Sequence, residues 1–118
     1  MSKLGRRRGK DLERHCARFY PNGKRVGILG HEDIFMSKHS CESKEREALP
    51  KWLKDAMVQA KRNRSGFGKT PFVHLHECHA EHTEDIVIMY ATDWLPYVQA
   101  RETGDYSIID EDLIGGEK

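Results

Sequence analysis

The chain has 118 residues, 37% of them hydrophobic and 33% charged, which is enough for one compact domain with a modest core and too little for a second full domain. Its formal net charge of +1 conceals an asymmetry, because residues 1–70 carry 18 Lys and Arg against 8 Asp and Glu, whereas residues 71–118 carry 2 against 11. There is no run of about 18 apolar residues and no apolar stretch behind the basic start, so neither a membrane span nor a secretory leader is expected, and the compartment expected is the cytoplasm.

In chain order, residues 10–20 set Leu12, Cys16 and Phe19 at helical spacing, and Pro21-Asn22-Gly23 supplies a stop, which predicts a first helix. Residues 24–29, 33–36 and 39–44 then read as three short strands, with Gly30 interrupting the first two. Leu49-Pro50 opens a second helix whose Leu53, Ala56, Met57 and Ala60 form an apolar stripe, running to about Arg62. Ser65-Gly66-Phe67-Gly68 ends it, and residues 71–77 and 85–90 read as buried strands joined by a polar loop. Thr92 or Asp93 is expected to cap a last helix through about Gln99. From Arg101 onward the sequence is acidic and, outside residues 106–109, lacks apolar periodicity, so residues 101–118 are expected as a mobile acidic tail behind a domain spanning residues 1–100. The order of elements indicates an α/β domain with a central mixed sheet of about five strands flanked by helices. Cys16, Cys41 and Cys78 are odd in number and form no CxxC pair, so reduced thiols are expected.

The basic half points to a phosphate backbone as partner, and nucleic acid becomes the leading candidate. Hydrolysing a phosphodiester calls for a hard divalent cation, an activated water and positive charge for the developing oxyanion. Mg²⁺ is held by carboxylate oxygens and water. Asp33 lies where the second strand should begin, and Glu42-Ser43-Lys44 closes the third. Side chains alternate along a strand, so Glu42 and Lys44 share a face about 6.6 Å apart and Ser43 points the other way, leaving its carbonyl free. A carboxylate and an ammonium on one face can hold a cation and steer a water.

These residues resemble the PD-(D/E)xK nuclease superfamily, and within it the small Holliday-junction resolvases of archaea and bacteriophages. The likeness covers residues 8–97: Arg8-Gly9-Lys10 leading to Glu13 on the first helix, Asp33 in Gly30-His31-Glu32-Asp33, Glu42-Ser43-Lys44, and Gln59 on the second helix. It implies a restriction-endonuclease-like core and a Mg²⁺-dependent DNA endonuclease, with Mn²⁺ able to substitute, acting on four-way junctions as a homodimer in DNA recombination. It further implies that Asp33 and Glu42 ligate the metal with the Ser43 carbonyl, that Glu13 reaches it through water, and that Lys44 assists water activation, with Gln59 beside them. Two departures stand out: Glu32 replaces the usual Pro before the Asp, and Ser40-Cys41-Glu42 is less apolar than the usual strand. Glu32 therefore competes with Asp33 for the ligand role.

Each feature also has an ordinary explanation. Glu and Lys two apart arise by chance in any charged strand, and Glu13 could make a surface pair with Lys10 or an arginine. Gln59 flanks the apolar stripe as any polar residue would. Arg6, Arg7, Arg8 and Lys10 are expected to contact phosphate, against the alternative of a solubilising tail. Lys61, Arg62 and Arg64, with Lys69 beyond them, are expected to extend that footprint or to be plain surface charge. His74, His76, Cys78, His79 and His82 are zinc-ligand types, yet their spacing fits no familiar module, so the expectation is a hairpin without zinc. Trp52, Trp94 and Tyr97 read as packing aromatics. The rival functions are a non-catalytic DNA-binding or phage regulatory module on a nuclease fold, and a nicking or restriction nuclease of the same superfamily.

Overall fold

A computed structural model describes residues 3–26 and 32–110, with side chains from Gly9 onward. It is an α/β structure with three α-helices and two small antiparallel sheets, of three and two strands. The chain divides into two compact units, Met1–Arg46 with Leu95–Lys118, and Glu47–Trp94. Among the described residues no helix is long and apolar enough to cross a membrane.

In the first unit, α1 (Lys3–Phe19) starts a full two turns before the expected Lys10. Its half-buried Leu12, Cys16 and Phe19 follow the expected stripe. The helix stops where Asn22 takes a left-handed φ of 57° and the Gly23 amide bonds the Tyr20 carbonyl at 3.2 Å. Asn tolerates that conformation better than most residues. Gly23 is needed for a different reason: a Cβ there would lie 2.9 Å from the Ala17 carbonyl oxygen and 3.2 Å from the Ile34 side chain. Three two-residue strands follow, β1 (Lys24–Arg25), β2 (Ile34–Phe35) and β3 (Ser40–Cys41). β2 lies centrally, with Arg25 opposite Ile34 and Ile34 opposite Cys41. Ile34 and Met36, two apart and therefore on one face, are buried together with Val98 and Ala100 of the last helix, α3 (Ala91–Thr103). Burying a side chain such as Ile34 contributes about 1.5–3 kcal/mol.

In the second unit, α2 (Lys51–Asn63) begins at Pro50, whose carbonyl accepts from the Leu53 and Lys54 amides. Pro suits a helix start because no amide is needed there. Met57 is buried, flanked by half-buried Leu53, Ala56 and Ala60, and this stripe belongs to the helix that packs on β4 (Phe72–Leu75). β4 pairs antiparallel with β5 (Ile86–Met89), Leu75 opposite Ile86.

Three expectations change. The strands do not join a single mixed sheet of about five: every pairing among the described residues is antiparallel and between strands consecutive in sequence. Such pairing needs only short connections, whereas a parallel pair needs a long crossover. The last helix starts at Ala91, before Thr92 and Asp93, because the Tyr90 carbonyl already accepts from the Asp93 and Trp94 amides. That helix also continues past Gln99 to Thr103, ends at Gly104 (φ 77°), and is followed by a 3₁₀ turn at Tyr106–Ile108. Residues 101–103 and 106–108 thus carry helical structure where a tail is expected, and residues 111–118, like residues 27–31, which include the end of the expected first strand, lie outside the described ones.

Candidate functional site

The β2–β3 hairpin brings the two halves of the sequence motif together. Asp33 precedes Ile34 and Glu42 follows Cys41, and Ile34 and Cys41 are cross-strand partners, so the two acidic residues flank one paired position. The Asp33 amide bonds the Cys41 carbonyl at 3.0 Å, and the Asp33 carbonyl accepts from the Val26 amide of the neighbouring strand at 3.1 Å. Its backbone is therefore held from both sides.

The Asp33 carboxylate accepts from the Ser43 amide at 2.8 Å and the Ser43 hydroxyl at 3.3 Å. Ser43 meets Asp33 through its amide and hydroxyl donors, and these bonds do not use its carbonyl. Glu32, the rival for the ligand position, accepts instead from the Ser40 hydroxyl at 3.0 Å. Of the two neighbours, Asp33 is the one whose carboxylate bonds the Glu42-Ser43-Lys44 segment. Glu42 and Lys44 are both exposed, with the ammonium 3.9 Å from the carboxylate, although β3 ends at Cys41 and residues 42–44 lie beyond it rather than in the expected strand.

Glu13 is not gathered with them. Its carboxylate accepts from Arg25 Nε at 3.3 Å and Nη2 at 3.2 Å, the ordinary ion pair foreseen for it, made with a strand arginine rather than with Lys10. Glu13, Asp33 and Glu42 do not form a set of three ligand atoms lying within 4.8 Å of one another. The physical reason is visible in the bonds: Asp33 is turned onto Ser43 and Glu13 onto Arg25. Gln59 is exposed on α2 of the second unit.

The thiols beside the hairpin are inert in character. Burial raises the Cys41 thiol to about 11, helped by the neighbouring Cys16 thiol and the Asp33 charge. Burial likewise raises Cys16. All three cysteines are free, and Cys78 is exposed.

Of the basic residues, Arg6, Arg7 and Arg8 lie on α1 with side chains outside the described ones, and Lys10 is exposed on the same helix. Lys61 sits over the Tyr90 ring at 5.7 Å and Arg64 over Phe67 at 5.3 Å. Cation–π contacts of this kind hold each cation near an aromatic face. Arg62 is exposed.

Two acidic residues with many partners escaped the sequence. Glu102, its side chain 2% exposed, accepts from the Ser37 and Lys38 amides at 3.0 and 2.7 Å and lies 2.7 Å from His39 Nδ1. Burial pushes its pKa up, but the bonds from His39, Lys38 and Ser37 outweigh burial and leave it below the ordinary value. Nothing in residues 37–39 and 102 signals a partnership across 63 to 65 positions. Asp85, its side chain 9% exposed, lies among three imidazoles: His74 Nε2 at 2.8 Å, His76 Nδ1 at 2.6 Å and His82 Nδ1 at 3.0 Å. Hydrogen bonds from His82, His76 and His74, in that order, hold its carboxyl down at about 2. The His82-x-x-Asp85 spacing was a readable signal. Cys78 and His79, counted with the histidines in the sequence, are not members of this cluster.

No family model, no curated protein and no solved structure matches the chain.

Proposed function

We propose that the chain is a divalent-metal-dependent DNA endonuclease of the PD-(D/E)xK kind, acting on branched DNA in the manner of a Holliday-junction resolvase. The observation that supports this most directly is the 2.8 Å bond from the Ser43 amide to the Asp33 carboxylate, which joins the isolated acid to the centre of Glu42-Ser43-Lys44. The donor set fits a hard cation, since Asp33 and Glu42 offer carboxylate oxygens and no imidazole or thiolate. Asp33 and Glu42 would hold Mg²⁺, or Mn²⁺ in its place. When bound, such an ion supplies Lewis-acid polarisation of the scissile phosphate.

The chain's own residues do the rest. Lys44, exposed and 3.9 Å from Glu42, presents an ammonium that can orient a water and offset charge on the phosphate. Arg6, Arg7, Arg8, Lys10, Lys61, Arg62 and Arg64 supply phosphate contacts. A homodimer that cuts both strands and a cytoplasmic setting belong to the same reading.

The test is cleavage of a synthetic four-way junction, with linear duplex and single strands as comparisons, in Mg²⁺. Lys44→Ala should lower cleavage by about 10²-fold or more while leaving junction affinity near wild type. Asp33→Asn keeps an acceptor for Ser43 and loses the charge, so it and Glu42→Gln should lose metal-dependent activity with the fold retained. Undiminished turnover in any of the three removes that residue from the site. Equal cleavage of linear duplex would indicate a nicking or restriction enzyme. Junction binding by wild type without cleavage in Mg²⁺ or Mn²⁺ would indicate a non-catalytic DNA-binding module.

A further inference from the structure

The β4–β5 hairpin holds a second set of metal-ligand side chains, built from elements different from those that carry Asp33 and Glu42. His74 on β4 and His76 just beyond its end lie two apart on the exposed side that also carries Phe72, while Val73 and Leu75 on the opposite face are half-buried. The pairing of Leu75 with Ile86, carried one residue further, sets His76 against Asp85. His82 comes from the short 3₁₀ turn His82–Glu84, whose Asp85 amide bonds the His82 carbonyl at 3.0 Å. In a 3₁₀ turn, side chains three apart eclipse one another. That local geometry lays His82 over Asp85, with its ring stacked on His76 at 4.1 Å.

His76, His82 and Asp85 each offer a ligand atom, and these atoms all lie within 4.8 Å of one another. Zinc–nitrogen bonds of about 2.0–2.1 Å in a tetrahedron put neighbouring ligand atoms about 3.4 Å apart. With His76 and His82 nitrogens already 2.6 and 3.0 Å from the Asp85 carboxylate, side-chain rotations, freest at the 82% exposed His82, would bring the set to that spacing. His74 Nε2 contacts the Oδ2 atom of Asp85 and stands as the partner that orients a ligating carboxylate from outside. Two imidazoles and one carboxylate suit a borderline transition ion and not Mg²⁺ or Ca²⁺, which take oxygen ligands.

We propose that His76, His82 and Asp85 form a binding site for one divalent transition ion of the zinc class, with His74 holding the Asp85 carboxylate and water filling the fourth position. The site replaces the sequence expectation of a zinc-free hairpin. It uses an aspartate that the histidine and cysteine spacing left out, and it uses neither Cys78 nor His79. The ion would clip the 76–85 connection shut and is separate from any ion at Asp33 and Glu42.

The test is equilibrium titration of the purified, chelator-treated full chain with zinc chloride against a chromophoric competitor, followed by Co²⁺ as a spectroscopic probe. One zinc per chain is expected, with a higher melting temperature on binding. His82→Gln and Asp85→Asn should each weaken zinc by at least about tenfold, the loss that removing even an outer partner produces. Cys78→Ser, His79→Gln and Asp33→Asn should bind as wild type does, and Co²⁺ should show no thiolate charge-transfer band. Because His82 is almost fully exposed, His82→Gln leaves the fold intact, which circular dichroism verifies. No stoichiometric zinc, full affinity in His82→Gln, or a thiolate band would each overturn the site.

Discussion

Glu102 shows how one side chain can organise a loop. Its carboxylate takes two consecutive amides and faces an imidazole at the turn between β2 and β3, and that turn leads into β3, which Glu42 follows. Replacing it by Ala removes charge-assisted bonds and leaves donors without a partner, so the expected loss of stability at neutral pH is about 1–3 kcal/mol. The pH dependence has a definite sign. A carboxyl whose folded pKa is lowered contributes stability that is complete above its unfolded value and lost as pH falls through the folded one. Wild type should therefore lose stability on acidification below the ordinary value of 4.5 for this glutamate, whereas Glu102→Gln should start lower and lose less over the same interval. Thermal melts at a series of pH values from neutrality down to about pH 3, below the ordinary carboxyl range, would measure both. Parallel melting curves for the two proteins would show that the Glu102 charge is not used.

At the scale of elements, α1 carries the steepest difference between expectation and structure. The basic run Arg6-Arg7-Arg8 belongs to a helix that extends unbroken into Glu13 and Cys16, so the phosphate contact proposed for it would not carry the ordering cost of a free tail. Neutralising Arg6, Arg7, Arg8 and Lys10 together should weaken DNA binding and flatten the logarithmic salt dependence by up to about 0.9 for each phosphate left without its cationic partner. Affinity measured across a salt series decides the matter, and an unchanged slope would assign the run to helix solubility alone. The far end of the same helix depends on Gly23, where even a methyl group would press on the Ala17 carbonyl and Ile34. The turn that launches the sheet thus tolerates little variation.

At the scale of the whole molecule, the proposed function calls for symmetric incision of a four-way junction, which needs two active sites, and one chain carries one Asp33 with one Glu42-Ser43-Lys44. The protein should therefore sediment as a dimer, or become one on a junction, and a sedimentation experiment with and without DNA checks this; a monomer on the junction would argue for nicking instead. Much was legible from residues alone. The stop at Pro21-Asn22-Gly23 and the stripe Leu53, Ala56, Met57 and Ala60 follow from local rules, since turn chemistry and side-chain periodicity act over a few residues. Tertiary structure alone decided which partner each acidic group takes: Asp33 bonds Ser43 and Glu32 bonds Ser40, Glu13 pairs with Arg25, Glu102 reaches residues 37–39, and Asp85 gathers three histidines. A carboxylate bonds whichever donors the fold brings within about 3 Å, and periodicity along a strand or helix carries no information about donors tens of positions away.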